Sequence, residues 1–249
     1  MKQRIITSVF ILLALSIIYI FNSPLLIWAF LGSLYLISVQ ELLKMHKTEL
    51  MLSSFVFANV TWIMFPLLGI ESLLIIFGTL FYSLYAFQSK LISNVDLKIL
   101  LYPTIGFVYT YMLYIDYGPI YLLLLLLVVS FTDVGAYFVG RSVGKTKFSI
   151  TSPNKTLEGV FGGIIVSFLV GLLFFNTYIE ELDYKIIIAI FLTAVASVFG
   201  DLYESKIKRE CEVKDSGSLL PGHGGILDRV DGYIFAGPIL YTFLSLSNL

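Results

Sequence analysis

The chain has 249 residues, 58% of them hydrophobic and only 13% charged, with a formal net charge of −1. A soluble domain is about half apolar and a quarter charged, so this composition, with a mean hydropathy of +0.91, excludes an ordinary soluble enzyme. The balanced charge identifies no partner, and the single cysteine, Cys211, excludes an internal disulfide framework.

Nine apolar segments follow in chain order: 5–21, 25–39, 52–68, 72–87, 99–115, 120–140, 159–177, 185–200 and 232–246. Each approaches the ~20 residues that a helix needs to cross a bilayer. Backbone groups in lipid must be satisfied within the segment, which predicts helices. The uninterrupted run 122–129 lacks the polar alternation of a barrel strand. The expected fold class is therefore all-α, a polytopic integral membrane helical bundle of about nine transmembrane helices. Met1-Lys2-Gln3-Arg4 before an apolar run has the look of a signal peptide. No small-residue cleavage site follows, however, and the next apolar run begins at once, so a first membrane helix is expected. The connections at Asn22-Ser23-Pro24 and Gly69-Ile70-Glu71 read as tight helical hairpins.

With the amino terminus inside, the inner connections hold Lys2, Arg4, Lys44, Lys47, Lys90, Lys98, Arg141, Lys145, Lys147, Lys155, Lys206, Lys208, Arg209, Lys214 and Arg229, every basic residue except Lys185. The positive-inside rule then predicts an N-in, C-out topology in a bacterial-type inner or plasma membrane. Two inner connections are long, 141–158 and 201–231, and chemistry is expected there, facing the cytoplasm. The chain thus divides into N-terminal membrane helices, 1–130, and a catalytic membrane region, 131–249.

The second long connection concentrates the residue types of phosphate chemistry. Asp201, Ser205 and Arg209 stand at i, i+4 and i+8 and share a face if the preceding helix continues into the cytoplasm. Asp228 and Asp231, one turn apart at the start of the last helix, suit one hard cation such as Mg2+, which takes one or two carboxylates and completes its shell with water and substrate phosphates. Lys208, Arg209, Lys214 and Arg229 can neutralise a polyphosphate. The glycine-rich turn 221–225, with His223, can bring backbone N–H groups to a phosphate. Taken singly, each charge suits a solvated loop and each glycine an ordinary turn. In the first long connection, Ser152 before Pro153 marks a helix start, with Lys155 and Thr156 beside an anion-binding N-terminus. Gly159 and Gly163 offer a close helix-packing face. Asp133 lies within an apolar run, where a carboxylate is costly and marks a functional candidate. No CxxC or HxxxH spacing suggests structural zinc.

The stretch Ser205-x-Ile207-Lys208-Arg209-x4-Lys214-Asp215-x-Gly217-x2-Leu220-Pro221-x-His223-Gly224-Gly225-Ile226-x-Asp228-Arg229-Val230-Asp231 resembles the signature of the phosphatidate cytidylyltransferases, or CDP-diacylglycerol synthases. Asp133 with Gly135-Ala136-Tyr137, and Ser152-Pro153-x-Lys155-Thr156-x-Glu158-Gly159, are similar to further stretches of that family. Gly232 stands where the family pattern has serine.

The resemblance implies a nucleotidyltransferase of phospholipid biosynthesis that makes CDP-diacylglycerol and pyrophosphate from CTP and phosphatidic acid. It implies Mg2+, with a second cation left open, and ligands drawn from Asp201, Asp228 and Asp231. Asp215 and Asp133 complete the expected catalytic acids. Ser152, Lys155, Thr156, Ser205, Lys208, Arg209, Lys214, His223 and Arg229 are the expected substrate-binding residues. Glu204, Glu210 and Glu212, outside the motif's geometry, are expected to tolerate glutamine. The partners implied are CTP and membrane lipid; nucleic acid is not expected, and a homodimer stays open. A CTP-dependent lipid kinase would use similar groups but release CDP. A membrane carrier, with Asp133 as coupling acid, would place its acids at mid-membrane rather than at one edge. The Asp-Gly-x2-Ala-Arg motif of the CDP-alcohol phosphotransferases is missing.

Overall fold

The computed structural model describes residues 16, 19–47, 55–67, 69, 94–149, 151–179, 182–222 and 224–247, with the backbone alone for 94–100. Among them the longer helices are α1 (Pro24–His46), α2 (Phe55–Leu67), α3 (Asn94–Tyr117), α4 (Pro119–Val143), α5 (Leu157–Tyr178), α6 (Tyr184–Glu210) and α7 (Leu227–Ser247). The described residues form no strand; single antiparallel pairs, Lys147 with Thr156 and Leu220 with Gly224, close turns between helices.

The helices α1, α4, α5 and α6 are long and apolar enough to cross a membrane. The helices α3 and α7, of 24 and 21 residues, carry Pro103 and Pro238 internally. On α5, Phe161, Ile165, Leu169 and Leu173 recur every four residues and are 57–70% exposed. An uncovered apolar stripe of this length is unfavourable in water and favourable in lipid. The protein is thus an all-helical, multi-pass membrane protein. The expected segments 5–21 and 72–87 lie largely outside the described residues.

The other face of α5 explains its tightest packing. Gly159, Gly163, Ser167 and Gly171 form a buried small-residue stripe against α4. A Cβ added to Gly135 of α4 would lie 3.0 Å from the Gly163 Cα, so the two backbones all but touch, as the Gly159/Gly163 spacing predicts. One core cluster unites α1, α2 and α3 around Tyr35, Trp62 and Phe107; a second unites α4 to α7 around Leu124, Phe175 and Ile190. The helix α7 contributes to both, through Ile234 and Leu240.

Of the boundaries that differ from the apolar runs, three at the ends of α5, α6 and α7 bear on the site. Helix α6 runs ten residues past the apolar segment 185–200, to Glu210. At 1.5 Å per residue its 27 residues span about 40 Å, more than the ~30 Å hydrocarbon core, so its charged end stands clear of lipid. Helix α7 begins at Leu227, which makes Asp228 and Asp231 part of its first turns. Helix α5 starts at Leu157, capped by Thr156, whose hydroxyl accepts from Gly159 N at 3.2 Å. Ser152 is therefore a loop residue rather than the helix start, because Thr156 supplies the capping oxygen next to the apolar run.

Candidate active site

The site forms where α6 ends and α7 begins. A Cβ on Gly200 would lie 3.1 Å from the Gly232 Cα, so these helices approach at backbone contact and set Asp201 beside Asp231. Gly232 itself packs near Ser197 and Val129, a crowded position that favours the small side chain. Asp201, Glu204, Ser205 and Lys208, at helical spacings, present one face of α6.

Lys155, from the connection between α4 and α5, ion-pairs with Asp201 Oδ2. Ser205 Oγ donates to the other oxygen of Asp201 at 3.3 Å. Lys208 pairs with Glu204 and donates to Asp228 Oδ1 at 2.7 Å. Asp228 Oδ2 accepts from Ser216 N at 2.9 Å, Gly225 N at 2.7 Å and Ser216 Oγ at 3.0 Å. Asp231 Oδ1 accepts from its neighbour Gly232 N at 2.9 Å. Asp133 of α4 and Asp231 both act electrostatically on Lys155, and Arg229 acts on Asp133. Burial pushes the Lys155 ammonium below the ordinary lysine value, opposed by the Asp133, Asp231 and Glu204 carboxylates.

Two residues at this site were not foreseen. Glu204 is fully buried; one oxygen faces Lys208, and Oε1 has no hydrogen-bond partner. The expectation that it behaves like a loop acid fails because α6 continues and turns it inward. Its i, i+4 relation to Lys208 was the available signal. Glu41 of α1 is buried and reaches the start of α7, accepting from Ile226 N at 3.0 Å, Leu227 N at 2.9 Å and Ser216 Oγ at 2.8 Å. Just past the apolar run 25–39, beside Gln40 and with Lys44 and Lys47 nearby, it reads as an ordinary connection acid.

Other expected residues stand apart. Arg209 donates to the Thr151 and Val213 carbonyls, strapping one connection to the other. Lys214 and Asp215 are exposed on the 211–226 connection, with Asp215 alongside Gly224. His223 lies outside the described residues. Gly222 and Gly224 adopt φ of 78° and 86°, which turns the chain into the Leu220–Gly224 pair. The Gly225 amide, in the turn expected to approach phosphate, donates to Asp228 instead, and the Ile226 and Leu227 amides that follow donate to Glu41.

The arrangement suits polyanion and cation chemistry. Asp133, Asp201, Glu204, Asp228 and Asp231 bring five carboxyl groups close to Lys155, Lys208 and Arg229. Carboxylate oxygens gathered in this way suit a hard cation. Among the described residues no three such side chains stand ready as a ligand set, since Lys155 and Lys208 hold Asp201 and Asp228.

Comparison with known proteins agrees with this chemistry. The cytidylyltransferase family model matches residues 2–247. A phosphatidate cytidylyltransferase of Helicobacter pylori (strain J99) is 37% identical over 245 residues, covering 98% of this chain and 91% of that protein. The phosphatidate cytidylyltransferase of Bacillus subtilis (strain 168) is 37% identical over 284 residues, covering 99% of this chain and 98% of that protein. One from Staphylococcus epidermidis is 47% identical over 147 residues, 57% of this chain and 55% of that protein. With near-complete coverage and a site of acids and lysines at the ends of its membrane helices, this chain belongs to the cytidylyltransferase family.

Proposed function

We propose that this chain is a phosphatidate cytidylyltransferase, transferring the cytidylyl group of CTP to phosphatidic acid to give CDP-diacylglycerol and pyrophosphate. The observation that carries the reading is the full-length family match, with Asp201, Lys208 and Asp228 of the signature drawn into one charge network. A phosphatidate oxygen attacks the α-phosphorus of CTP; that P–O bond forms as the bond to pyrophosphate breaks in line with it. The nucleophile is already ionised, so positioning and charge neutralisation, rather than a general base, lower the barrier. Lys155, Lys208 and Arg229 bind and orient phosphate oxygens, aided by Arg209 and Lys214 from the rim. Ser152 and Thr156 line the side formed by the first connection, and Ser205 orients Asp201.

Asp201, Asp228 and Asp231 would hold Mg2+, which when bound polarises the α-phosphoryl group and supports the departing pyrophosphate. The support for this is their carboxylate chemistry and their gathering at the facing ends of α6 and α7. Loading requires Lys155 and Lys208 to turn from the aspartates toward substrate phosphates. The nine-helix, N-in topology places the site at the cytoplasmic edge, where CTP arrives from water and phosphatidate from the bilayer. The distribution of basic residues supports that orientation. A reporter fused after Leu249 then reads non-cytoplasmic and one inserted near Thr146 reads cytoplasmic.

The decisive assay is purified protein in detergent with phosphatidate, Mg2+ and each of the four nucleoside triphosphates. CDP-lipid and pyrophosphate formed with CTP are the expected products. Release of CDP with a phosphorylated lipid overturns the reading in favour of a kinase.

A further inference from the structure

We infer that Glu41 is a positioning residue that holds the 211–226 connection in its site-forming shape, although it lies outside the signature and touches none of the reacting groups. Its carboxylate is 6% exposed. Both oxygens are used: Oε1 accepts from Ile226 N at 3.0 Å, and Oε2 from Leu227 N at 2.9 Å and Ser216 Oγ at 2.8 Å. These donors are 175 to 186 residues away in sequence, so the contact fastens the first half of the chain to the second. An anion on the first amides of α7 also meets the positive end of that helix.

The glycines of the connection fit around this carboxylate. A Cβ on Gly217 would lie 2.6 Å from Glu41 Oε1, and one on Gly225 would collide with Glu41 and the Ser216 hydroxyl. A side chain at either position would therefore expel the carboxylate. This gives Gly217 and Gly225 a steric reason that turn geometry does not supply, since neither has the positive φ of Gly222 and Gly224.

The contact reaches the site through two shared residues. Ser216 Oγ lies between Glu41 Oε2 and Asp228 Oδ2, offering one proton to the pair. Ser216 N and Gly225 N, on either side of Glu41, are the backbone donors to Asp228. Displacing Glu41 thus frees the residues that fix Asp228, while Lys155 and Asp201 keep their own contacts. The catalytic part of this inference rests on the cytidylyltransferase reading; the structural part does not.

The test compares Glu41→Gln with the wild-type full chain in detergent, first without substrates. Glutamine keeps the size but points an NH2 donor at a set of donors. Amide hydrogen exchange read by mass spectrometry is expected to quicken about tenfold or more in peptides spanning 213–227, the scale of one lost charged hydrogen bond, and to stay unchanged in 144–157. In the CTP assay, kcat is expected to fall about tenfold or more, with the KM for phosphatidate within about twofold. Exchange in 213–227 at the wild-type rate overturns the inference. So does equal quickening in both connections, which would mark a general packing role. If the wild-type protein makes no CDP-lipid, the functional reading fails while the exchange comparison still decides the positioning role.

Discussion

The two connections that build this site are each held by a glutamate, in opposite ways. In the 144–156 connection, Glu158 accepts from Lys145 N at 3.1 Å, Thr146 N at 3.2 Å and Thr146 Oγ1 at 2.8 Å, all within 13 residues of itself. The loop also pairs with itself, Phe148 N to Lys155 O at 2.9 Å and Leu157 N to Thr146 O at 2.9 Å. The 211–226 connection has fewer ladder bonds of its own and takes its shape from buried carboxylates on two different helices, Glu41 and Asp228. The first is a self-contained loop that presents Lys155. The second exists in its present form only because charges from elsewhere demand it. A buried carboxylate among donors is costly to disturb, since nothing else can satisfy them; an exposed one is backed by water.

This contrast ranks the substitutions. The largest effect is expected from Asp228→Asn, and from Asp201→Asn on the facing helix. Each keeps the size of the side chain but removes the charge that holds a lysine and that suits a hard cation. Activity should fall more than about 100-fold with the protein still folded and inserted, and the double variant should be little worse than either single, because groups acting as one unit are not additive. Turnover measured across a Mg2+ titration checks this. Substantial activity of Asp228→Asn at ordinary Mg2+ would remove it from the metal site.

Glu204→Gln comes next and sharpens the comparison at the end of α6. Glu204 is buried against Lys208, whereas Glu210 and Glu212 are exposed. Lys208 keeps Asp228 as a partner, so the loss is that of one charged hydrogen bond, about 1.5–3 kcal/mol. Thermal unfolding in detergent should show that loss for Glu204→Gln and almost none for Glu210→Gln or Glu212→Gln. Equal melting of all three would return Glu204 to the ranks of solvated loop acids.

Lys155→Ala tests the self-contained loop through the side chain it sends to Asp201. Losing a charged hydrogen bond to substrate phosphate, about 1.5–3 kcal/mol, lowers kcat/KM about 10- to 150-fold. Exchange protection of 144–157 should persist, because backbone pairing rather than Lys155 shapes that loop. Normal activity of the variant would leave Lys155 a partner of Asp201 alone.

Much of this was legible in the sequence, and each miss has its own physical cause. Apolar runs located α1 to α7 because lipid demands them, and the Gly159/Gly163 spacing foretold the contact with α4. The structure gathers residues that the sequence singles out for different reasons: Asp133 by charge inside an apolar run, Lys155 by a helix start, and Asp201, Lys208, Asp228 and Asp231 by acids and cations massed in one connection and by the family signature. Glu204 was not, because a charged residue among Lys206, Lys208 and Glu210 looks solvated until the helix phase is known. Glu41 was not, because its donors are backbone amides 185 residues away, which have no sequence signature. Ser152 before Pro153 reads as a helix start on a local pattern alone, whereas Thr156, next to the first apolar turn, caps the helix.

The smallest effect is expected from Glu158→Gln, although Glu158 accepts as many hydrogen bonds as Glu41. Glutamine retains one carbonyl oxygen, which can still take the Thr146 N–H or hydroxyl. Lys145 N and Thr146 N lie in exposed contacts, so water replaces the lost acceptor. The Lys147–Thr156 pair and the Thr156 cap remain and keep Lys155 aimed at Asp201. Surface changes of this kind shift rates about twofold or less. Measured beside Glu41→Gln, the same exchange of carboxylate for amide should therefore leave 144–157 protected and CDP-lipid formation near the wild-type rate. A collapse of activity in Glu158→Gln to the level of Glu41→Gln would show that position in the site, and not burial, sets the worth of these two carboxylates.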